Sequence, residues 1–201
     1  MKILQSIALI SMSVSLLLAS PQGMQGQKKG KGNKNAELQE IKQTAKASSK
    51  LLLKTLGSNM KKNMKAGGPM QALDFCSKEA YTLTEKVNKE LPHGVSVKRI
   101  TLKERNPVNL AENDEAVVLE ALAKLKSANV ILPKMVIEKV DAHTYKVYKP
   151  LVINKQVCLK CHGDIQNNKL KAEIEKRYPA DKATHYKMGD LRGAIVTTIK
   201  K

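Results

Sequence analysis

Aromatic residues are scarce in this 201-residue sequence, which has no tryptophan, one phenylalanine and five tyrosines. Proteins that bind single-stranded nucleic acid without sequence preference stack the bases on aromatic side chains. The scarcity therefore disfavours nucleic acid as a partner, despite a formal net charge of +18. The sequence also lacks internal repeats, Walker and dinucleotide-binding motifs, and a Ser-His-Asp arrangement that spacing could support. We nominate no catalytic residue and expect the protein not to be an enzyme.

Cysteine and histidine are scarce as well, with three and four residues. A structural zinc site takes four ligands, and the sequence has neither a second cysteine pair nor an H-x-x-x-H motif to complete one. A redox-active dithiol would need a βαβ context, whereas Cys158 and Cys161 are followed by a glycine, an aspartate and a polar turn. Both classes of site are therefore disfavoured.

The same two cysteines belong to the segment Cys158-Leu159-Lys160-Cys161-His162, which has the C-x-x-C-H pattern of haem c attachment. In such a site the thiols form thioethers with the haem vinyl groups, and the imidazole after the second thiol binds the iron. In a sequence with so few cysteines and histidines, the chance of this pattern is about one in a thousand. The sequence therefore predicts one covalent haem c held by Cys158 and Cys161, with His162 as an axial ligand.

The N-terminal residues 1–20 contain one positive charge, at Lys2, an apolar run with serines, and no acidic residue. This composition is typical of a secretory signal peptide. The run is short and polar for a membrane span, which takes about 20 apolar residues, and an uncleaved anchor is the alternative. We therefore expect a periplasmic protein, or one tethered to the membrane by an uncleaved N-terminal segment.

A basic region follows. Residues 21–35 are rich in glycine, glutamine and lysine, which predicts a flexible basic linker. From Lys28 to Lys65 there are 11 lysines against two glutamates, an excess of +9 that is half of the chain's net charge. Such a region attracts an anionic membrane surface or an acidic partner protein. A solvated charged segment without a partner is the alternative.

Two helices are predicted next. Residues 36–66 form an amphipathic helical arm, because apolar or small residues recur at three- and four-residue steps. Those positions are Leu38, Ile41, Ala45, Ser48, Leu52, Leu56 and Met60. Gly67-Gly68-Pro69 ends the arm, and a second helix runs from about residue 70 to 91 with Cys76 on its core-facing side.

The remaining pattern predicts four strands and two further helices. The strands are 95–102, 134–140, 143–148 and 192–199; one helix begins near Asn109 or Asn113 and ends before Pro133, and another covers 170–178. This order argues one α+β domain over residues 67–201, preceded by the helical arm. Because aromatics are few, we expect the haem to form a large part of the core and the apo-protein to be poorly folded.

Several stretches match a known family in order: Gly67-Gly68-Pro69, Phe75-Cys76-Ser77, Leu102–Asn109, Tyr148-Lys149-Pro150, Cys158–Gly163 and Tyr178–Ala194. On these stretches the sequence resembles the single-haem c-type cytochromes with a PAS-like sensor fold, found alone or ahead of bacterial signalling domains. The resemblance implies a PAS-like antiparallel sheet flanked by helices, with His162 and Cys76 as the two axial ligands. One departure is His185, which stands where the family usually has glycine and adds a competing ligand.

The sixth ligand and the surroundings of the haem propionates are less constrained by the residues themselves. Cys76 is the thiol left after attachment, and its register fits either a small buried hydrophobe or a thiolate aimed at iron. The rival ligands are His93, His143, His185, Met70 and Met188. The candidate propionate partners are Arg99, Arg105, Tyr186, Lys187 and Arg192.

Two functions are compatible with these predictions. A redox or gas sensor follows from the resemblance and from the proposed pair of His162 and Cys76, because thiolate stabilises ferric iron and reduction would release it. Plain electron transfer requires both ligands to stay bound in both oxidation states. A redox partner protein or a small gaseous ligand would be the partner. A peroxidase or ligand-binding role ranks below these two functions, because it would need an iron with an unoccupied coordination position in the resting protein.

Overall fold

The structure, a computed structural model, describes the backbone of residues 28–201 and the side chains of residues 34–201. The predicted signal peptide or anchor, residues 1–20, and the first part of the predicted linker lie outside the described residues. Residues Glu37–Lys201 form one compact unit. No helix within residues 28–201 is long and apolar enough to cross a membrane.

The first helix, α1 (Lys28–Lys78), is interrupted at Gly67 and Gly68, where the backbone leaves the helical conformation. Gly68 has φ 68° and ψ −156°, a region that is essentially restricted to glycine. Pro69 follows, and proline suits the first turn of a helix because the missing N–H would have no partner there. The predicted end of the helical arm at Gly67-Gly68-Pro69 is therefore confirmed.

The start of α1 corrects the predicted linker. The helix begins at Lys28, so the second half of residues 21–35 is helical rather than flexible. Lysine is a good helix former, and extending an existing helix gains one hydrogen bond for each residue added. The amphipathic segment that follows thus explains why the helix continues into this lysine- and glycine-rich stretch.

The predicted arm, residues 36–66, contributes to the core from Glu37 onward. Ile41 and Ala45 are 0% and 1% exposed and pack in one cluster with the sheet residue Val147. Leu52 is 0% exposed and packs with Ile195. The three- and four-residue spacing of the sequence therefore marks the face of α1 that contacts the sheet.

The other elements are α2 (Ala80–Glu90), β1 (Val95–Ile100), a 3₁₀ turn (Pro107–Asn109), α3 (Asn113–Ser127), β2 (Val136–Lys139), β3 (Thr144–Val152), α4 (Gln156–His162), α5 (Asn168–Arg177) and β4 (Leu191–Lys200). Each was predicted within a few residues, except the 3₁₀ turn, which was not predicted, and α4, which the sequence had shown only as the haem motif. The helix predicted over residues 70–91 is divided at Glu79, although backbone hydrogen bonds continue on both sides of it.

The four strands form one antiparallel sheet in the order β1-β4-β3-β2. Strand β4 is central, and its β-branched residues Ile195, Val196 and Thr197 are at most 1% exposed. Strand β3 runs beside β4 and leads directly into α4, so the sheet fixes the position of the C-x-x-C-H helix.

Candidate functional site

A cavity of about 250 Å³, partly open to solvent, lies between the two segments of α1, strand β1, the loop 105–109 and helix α4. It brings together most of the predicted site residues: Cys76, Arg99, Arg105, Cys158, Cys161, His162 and Arg192 line its wall. These residues span more than 110 positions of the sequence, so the fold and not local sequence assembles them.

Helix α4 places the motif on the cavity wall. Cys158, Cys161 and His162 are at positions i, i+3 and i+4 of one short helix, and such residues share a face. The helix ends at Gly163, whose backbone N–H donates to the carbonyl of Leu159 at 2.9 Å. A Cβ atom at position 163 would lie 2.9 Å from that same carbonyl oxygen, so the close turn requires glycine.

His162 is held in one orientation. Its Nδ1 lies 2.9 Å from the carbonyl oxygen of Ala183, which can only accept, so Nδ1 carries the proton and Nε2 is left as the free nitrogen. Burial, together with the positive charges of Arg192 and Arg105, lowers the pKa of His162 to about 3. The imidazole is therefore neutral and pre-oriented, which is the state that a metal ligand requires.

Arg105 ties the motif helix to the loop before β4. Its guanidinium Nη2 donates to the carbonyl oxygen of Cys161 at 2.7 Å and to Asp181 Oδ2 at 2.9 Å. Asp181 Oδ1 in turn accepts the backbone N–H of Ala183 at 2.8 Å. The network fixes Cys161 and the carbonyl that orients His162. Most of the hydrogen-bonding capacity of Arg105 is used within the protein.

Arg99 and Arg192 bring positive charge to the wall. Burial lowers the pKa of both guanidinium groups, and the Nε atom of Arg99 is buried without a hydrogen-bond partner among the described residues. Arg192 donates from Nη1 to Thr101 Oγ1 at 2.7 Å. Among the residues described, no aspartate or glutamate lines this cavity. The wall is therefore cationic and lacks a matching anion.

The position of Cys76 corrects the prediction that its side chain faces the packed core, and leaves open the prediction that it binds the iron. The helical register suggested a core position, whereas the side chain is exposed on the cavity wall. Its neighbours Leu73 and Ala80 are each 3% exposed and do belong to the core. The surrounding protein raises the pKa of the thiol by desolvation, although the charges of Arg99 and Arg105 oppose the rise. A soft sulfur donor thus faces the same cavity as His162.

Two predicted propionate partners lie elsewhere. Tyr186 is 8% exposed and is not on the cavity wall; its ring meets His162 edge-on at 6.3 Å between centroids. Lys103 and Arg192 approach the same ring, with the Arg192 guanidinium 5.3 Å from its centroid. Tyr186 therefore supports other site residues. Lys187 is exposed, and no contact links it to the cavity among the described residues.

The rival ligands do not reach the cavity. His185 is 77% exposed in its side chain and pairs with Asp164. Its φ of 62° lies in the left-handed region, which explains why glycine is usual at this position in the family that the sequence resembles. The other four are also exposed and absent from the cavity wall: His93, His143, Met70 and Met188.

Sequence reasoning missed two sulfur atoms. Met60 and Met64, on the first segment of α1, both line the cavity. Their four-residue spacing puts them on one helix face, and the sequence pattern predicts a position on the apolar face of the arm for Met60 but does not mark Met64. They add thioether groups to the wall that also carries Cys76.

Comparison with known proteins decides the family. The model of the Tll0287-like family matches residues 33–200. The chain belongs to this family. Among solved structures, this chain is similar to that of the cyanobacterial heme-protein Tll0287. The TM-score is 0.53 and the sequence identity is 19%, and the match covers 83% of this chain and 96% of the other. No curated protein matches the chain.

These matches confirm two predictions made from the sequence. The resemblance to the c-type cytochrome family is confirmed at the level of the family. The fold class is confirmed as α+β, with a PAS-like antiparallel sheet flanked by helices and a long N-terminal helix. At 19% identity, the similarity to the solved structure shows only the fold of this chain.

Proposed function

We propose that this Tll0287-like protein binds one haem c in the cavity and serves as a redox or gas sensor module. The observation that carries the proposal is that Cys158, Cys161, His162 and Cys76 line one cavity. The first three have the residue types and order of a haem attachment site. The heme-protein Tll0287 gives this proposal its precedent in fold.

The residues of the cavity fit a haem. A haem presents a large apolar ring, a metal and two anionic propionates. The wall offers aliphatic and thioether groups for the ring, a neutral imidazole for the metal, and cationic Arg99 and Arg192 for the propionates. The unpartnered Nε of Arg99 is the sharpest sign, because a buried polar atom without a partner is costly and a propionate would satisfy it.

Each of these residues has a distinct role in the proposal. Cys158 and Cys161 hold the haem covalently, and His162 binds the iron through Nε2, oriented by Ala183. Cys76 supplies a thiolate from the second segment of α1. Arg105 positions the motif through the carbonyl of Cys161. The haem supplies one-electron oxidation and reduction of its iron.

The sensor role is supported by the location of Cys76. The residue follows the break at Gly67 and Gly68, and glycine breaks can absorb the backbone changes that a moving segment needs. Cys76 would hold ferric iron more strongly than ferrous iron, so the reduced protein would be the state that admits a small gaseous ligand. The alternative is electron transfer with a redox partner protein, which the open side of the cavity would allow to reach a haem edge.

We also propose that the protein is exported to the periplasm, or tethered to the membrane by an uncleaved N-terminal segment. Residues 1–20 support this, because they have the charge and apolar pattern of a signal peptide. Covalent attachment of haem c takes place outside the cytoplasm, which agrees with export. We assign the protein no enzymatic activity.

Carbon monoxide separates the sensor from the electron carrier. For the sensor, we expect the ferrous protein to bind CO within seconds of mixing and to change its visible absorption spectrum, because Cys76 has left the iron. The ferric protein should not respond in either case, because CO binds only ferrous haem iron. A ferrous spectrum that is unchanged by CO, in protein that carries its haem, would exclude the sensor and leave electron transfer.

The charge of Arg99 should tune the midpoint potential. Replacing Arg99 by glutamine removes a buried cation, which favours the oxidised form, so we expect the potential to fall by about 60 mV, equivalent to a tenfold change in the redox equilibrium. The substitution Arg99→Lys should retain most of the potential. Arg177→Gln is a matched control, because Arg177 pairs with Asp74 and Glu173 outside the cavity. If Arg99→Gln, Arg99→Lys and Arg177→Gln all have the same midpoint potential, a role for Arg99 beside the haem is excluded.

A further inference from the structure

The loop between α3 and β2, residues 128–135, presents aliphatic side chains to solvent. Ile131 is 94% exposed and Val130 is 44% exposed. The start of the loop is fixed, since Asn129 takes φ 58° and the N–H of Val130 donates to the carbonyl of Leu125 at 3.0 Å. An ordered turn therefore holds Ile131 away from the protein.

The same loop forms one wall of a groove of about 560 Å³. Leu132 and Met135 contribute to its apolar lining, and Lys42, Lys46, Lys134 and Lys149 stand around it. We call this the lysine-rimmed groove. Within residues 34–201 none of the four lysines has an ion-pair partner, and no carboxylate lines the groove. Lys98 and Lys146 differ, since both pair with Glu115.

We propose that the loop and the lysine-rimmed groove together dock on an anionic phospholipid membrane. Ile131 would enter the boundary between headgroups and acyl chains, and the four lysines would meet lipid phosphates. Aliphatic residues beside clustered lysines are the composition by which peripheral proteins bind anionic bilayers. This assignment does not depend on the proposed haem.

The composition of the surface favours a membrane over a protein. Protein interfaces are enriched in tyrosine, tryptophan and arginine and are depleted in lysine. Apart from Asn129 at the turn, the groove and the exposed loop carry lysines, prolines and aliphatic or thioether side chains. A second copy of the chain is disfavoured as well, because the same four lysines would face each other.

The position of the surface also disfavours a redox partner. The groove and the cavity share no lining residue. Lys46 and Met60 lie on α1 and are 14 residues apart, which corresponds to about 21 Å along a helix at about 1.5 Å per residue. A redox partner whose contacts centre on the groove would therefore be offset from the cavity.

The absence of tryptophan from the sequence provides a direct test. In the full-length protein, the variant Ile131→Trp carries a single tryptophan at the tip of the loop. We expect its emission maximum to shift to the blue by roughly 10 nm with phosphatidylcholine vesicles that contain phosphatidylglycerol, and brominated lipids to quench it. Val117→Trp is the matched control, since Val117 is a 64% exposed aliphatic residue that does not line the groove. Because the fluorescence reports only the surroundings of position 131, it distinguishes membrane contact by the loop from any membrane binding by residues 1–20.

The lysines are tested in the same background. Replacing Lys42, Lys46, Lys134 and Lys149 by glutamine should weaken the vesicle-induced shift at least tenfold in apparent affinity, and pure phosphatidylcholine should give little shift. Equal shifts at positions 117 and 131, or none at 131, would overturn the proposal. A shift caused by soluble polyglutamate but not by vesicles would also overturn it, and would assign the surface to an acidic protein.

Discussion

Replacing Cys158 and Cys161 together by alanine is expected to abolish covalent haem. In the unchanged protein, matured with export, haem should stay with the polypeptide through denaturation and acid extraction into organic solvent, because thioether bonds survive both. In the double variant, whatever haem is bound should pass into the organic phase. Haem-dependent peroxidase staining after denaturing electrophoresis measures the difference. Recovery of all the haem from the unchanged protein in the organic phase would exclude covalent attachment.

The same variant should loosen the part of the protein around the motif. Cys161 packs against Leu73 and Leu170, and Cys158 packs against Ile153. Without the haem, the Nε atom of Arg99 would also remain buried and without a hydrogen-bond partner. We expect amide hydrogen exchange to rise in α4 and α5 and to change little in β4. Cys76→Ala, which retains both thioethers, is the matched control.

The sheet corrects part of the expectation that the haem dominates the core. Clusters formed by Leu119 with Val196, Ile41 with Val147, and Leu52 with Ile195 contain no residue of the motif. A pattern of apolar residues spaced by two, three or four predicts each element, but not which elements pack together. The arm on residues 36–66 was therefore predicted as a helix, while its packing against the sheet could not be.

Strand β3 shows how a local signal misplaces a boundary. The sequence predicted an end at Tyr148, two residues before Pro150, yet β3 continues to Val152. Strand β2 pairs with β3 only as far as Tyr148, so beyond that point β3 has a free edge, and there proline is tolerated. The tolerance depends on the length of a neighbouring strand, which a local pattern does not contain.

The candidate site divides in the same way. Cys158, Cys161 and His162 are contiguous, so their spacing alone predicts their chemistry. Arg105 contacts Asp181 from 76 positions away, and His162 is oriented by Ala183 from 21 positions away. These contacts are created by the fold, and nothing in the sequence near Asp181 or Ala183 predicts them. Cys76 lay between the two cases, because its identity as the remaining thiol was visible while its orientation was not.

Replacing Cys76 by alanine is expected to change the ferric spectrum strongly while the haem stays attached. The thiolate charge-transfer features should disappear, and the ferric iron should become accessible to imidazole. The midpoint potential should rise by on the order of a hundred millivolts, within the ~0.8 V range that axial ligands cover. The physical reason is that an anionic donor stabilises ferric iron, and alanine offers no donor in its place.

The structure sharpens the controls for this prediction. His185→Ala should leave the ferric spectrum unchanged, because His185 is exposed and pairs with Asp164. Met60→Leu and Met64→Leu are the more demanding controls, since both thioethers line the cavity with Cys76 and leucine preserves their apolar volume. Near-infrared and visible absorption of the ferric protein, with potentiometric titration, measures all four variants.

The pattern across these variants also bears on function. A thiolate that binds only ferric iron makes the ligand set depend on oxidation state, which a sensor requires and an efficient electron carrier avoids, because ligand exchange adds a slow step to each transfer. If the ferric spectrum is indifferent to Cys76 but collapses in Met60→Leu or Met64→Leu, the thiolate assignment is wrong. A thioether suits both oxidation states of haem iron, so that result would favour the electron carrier over the sensor.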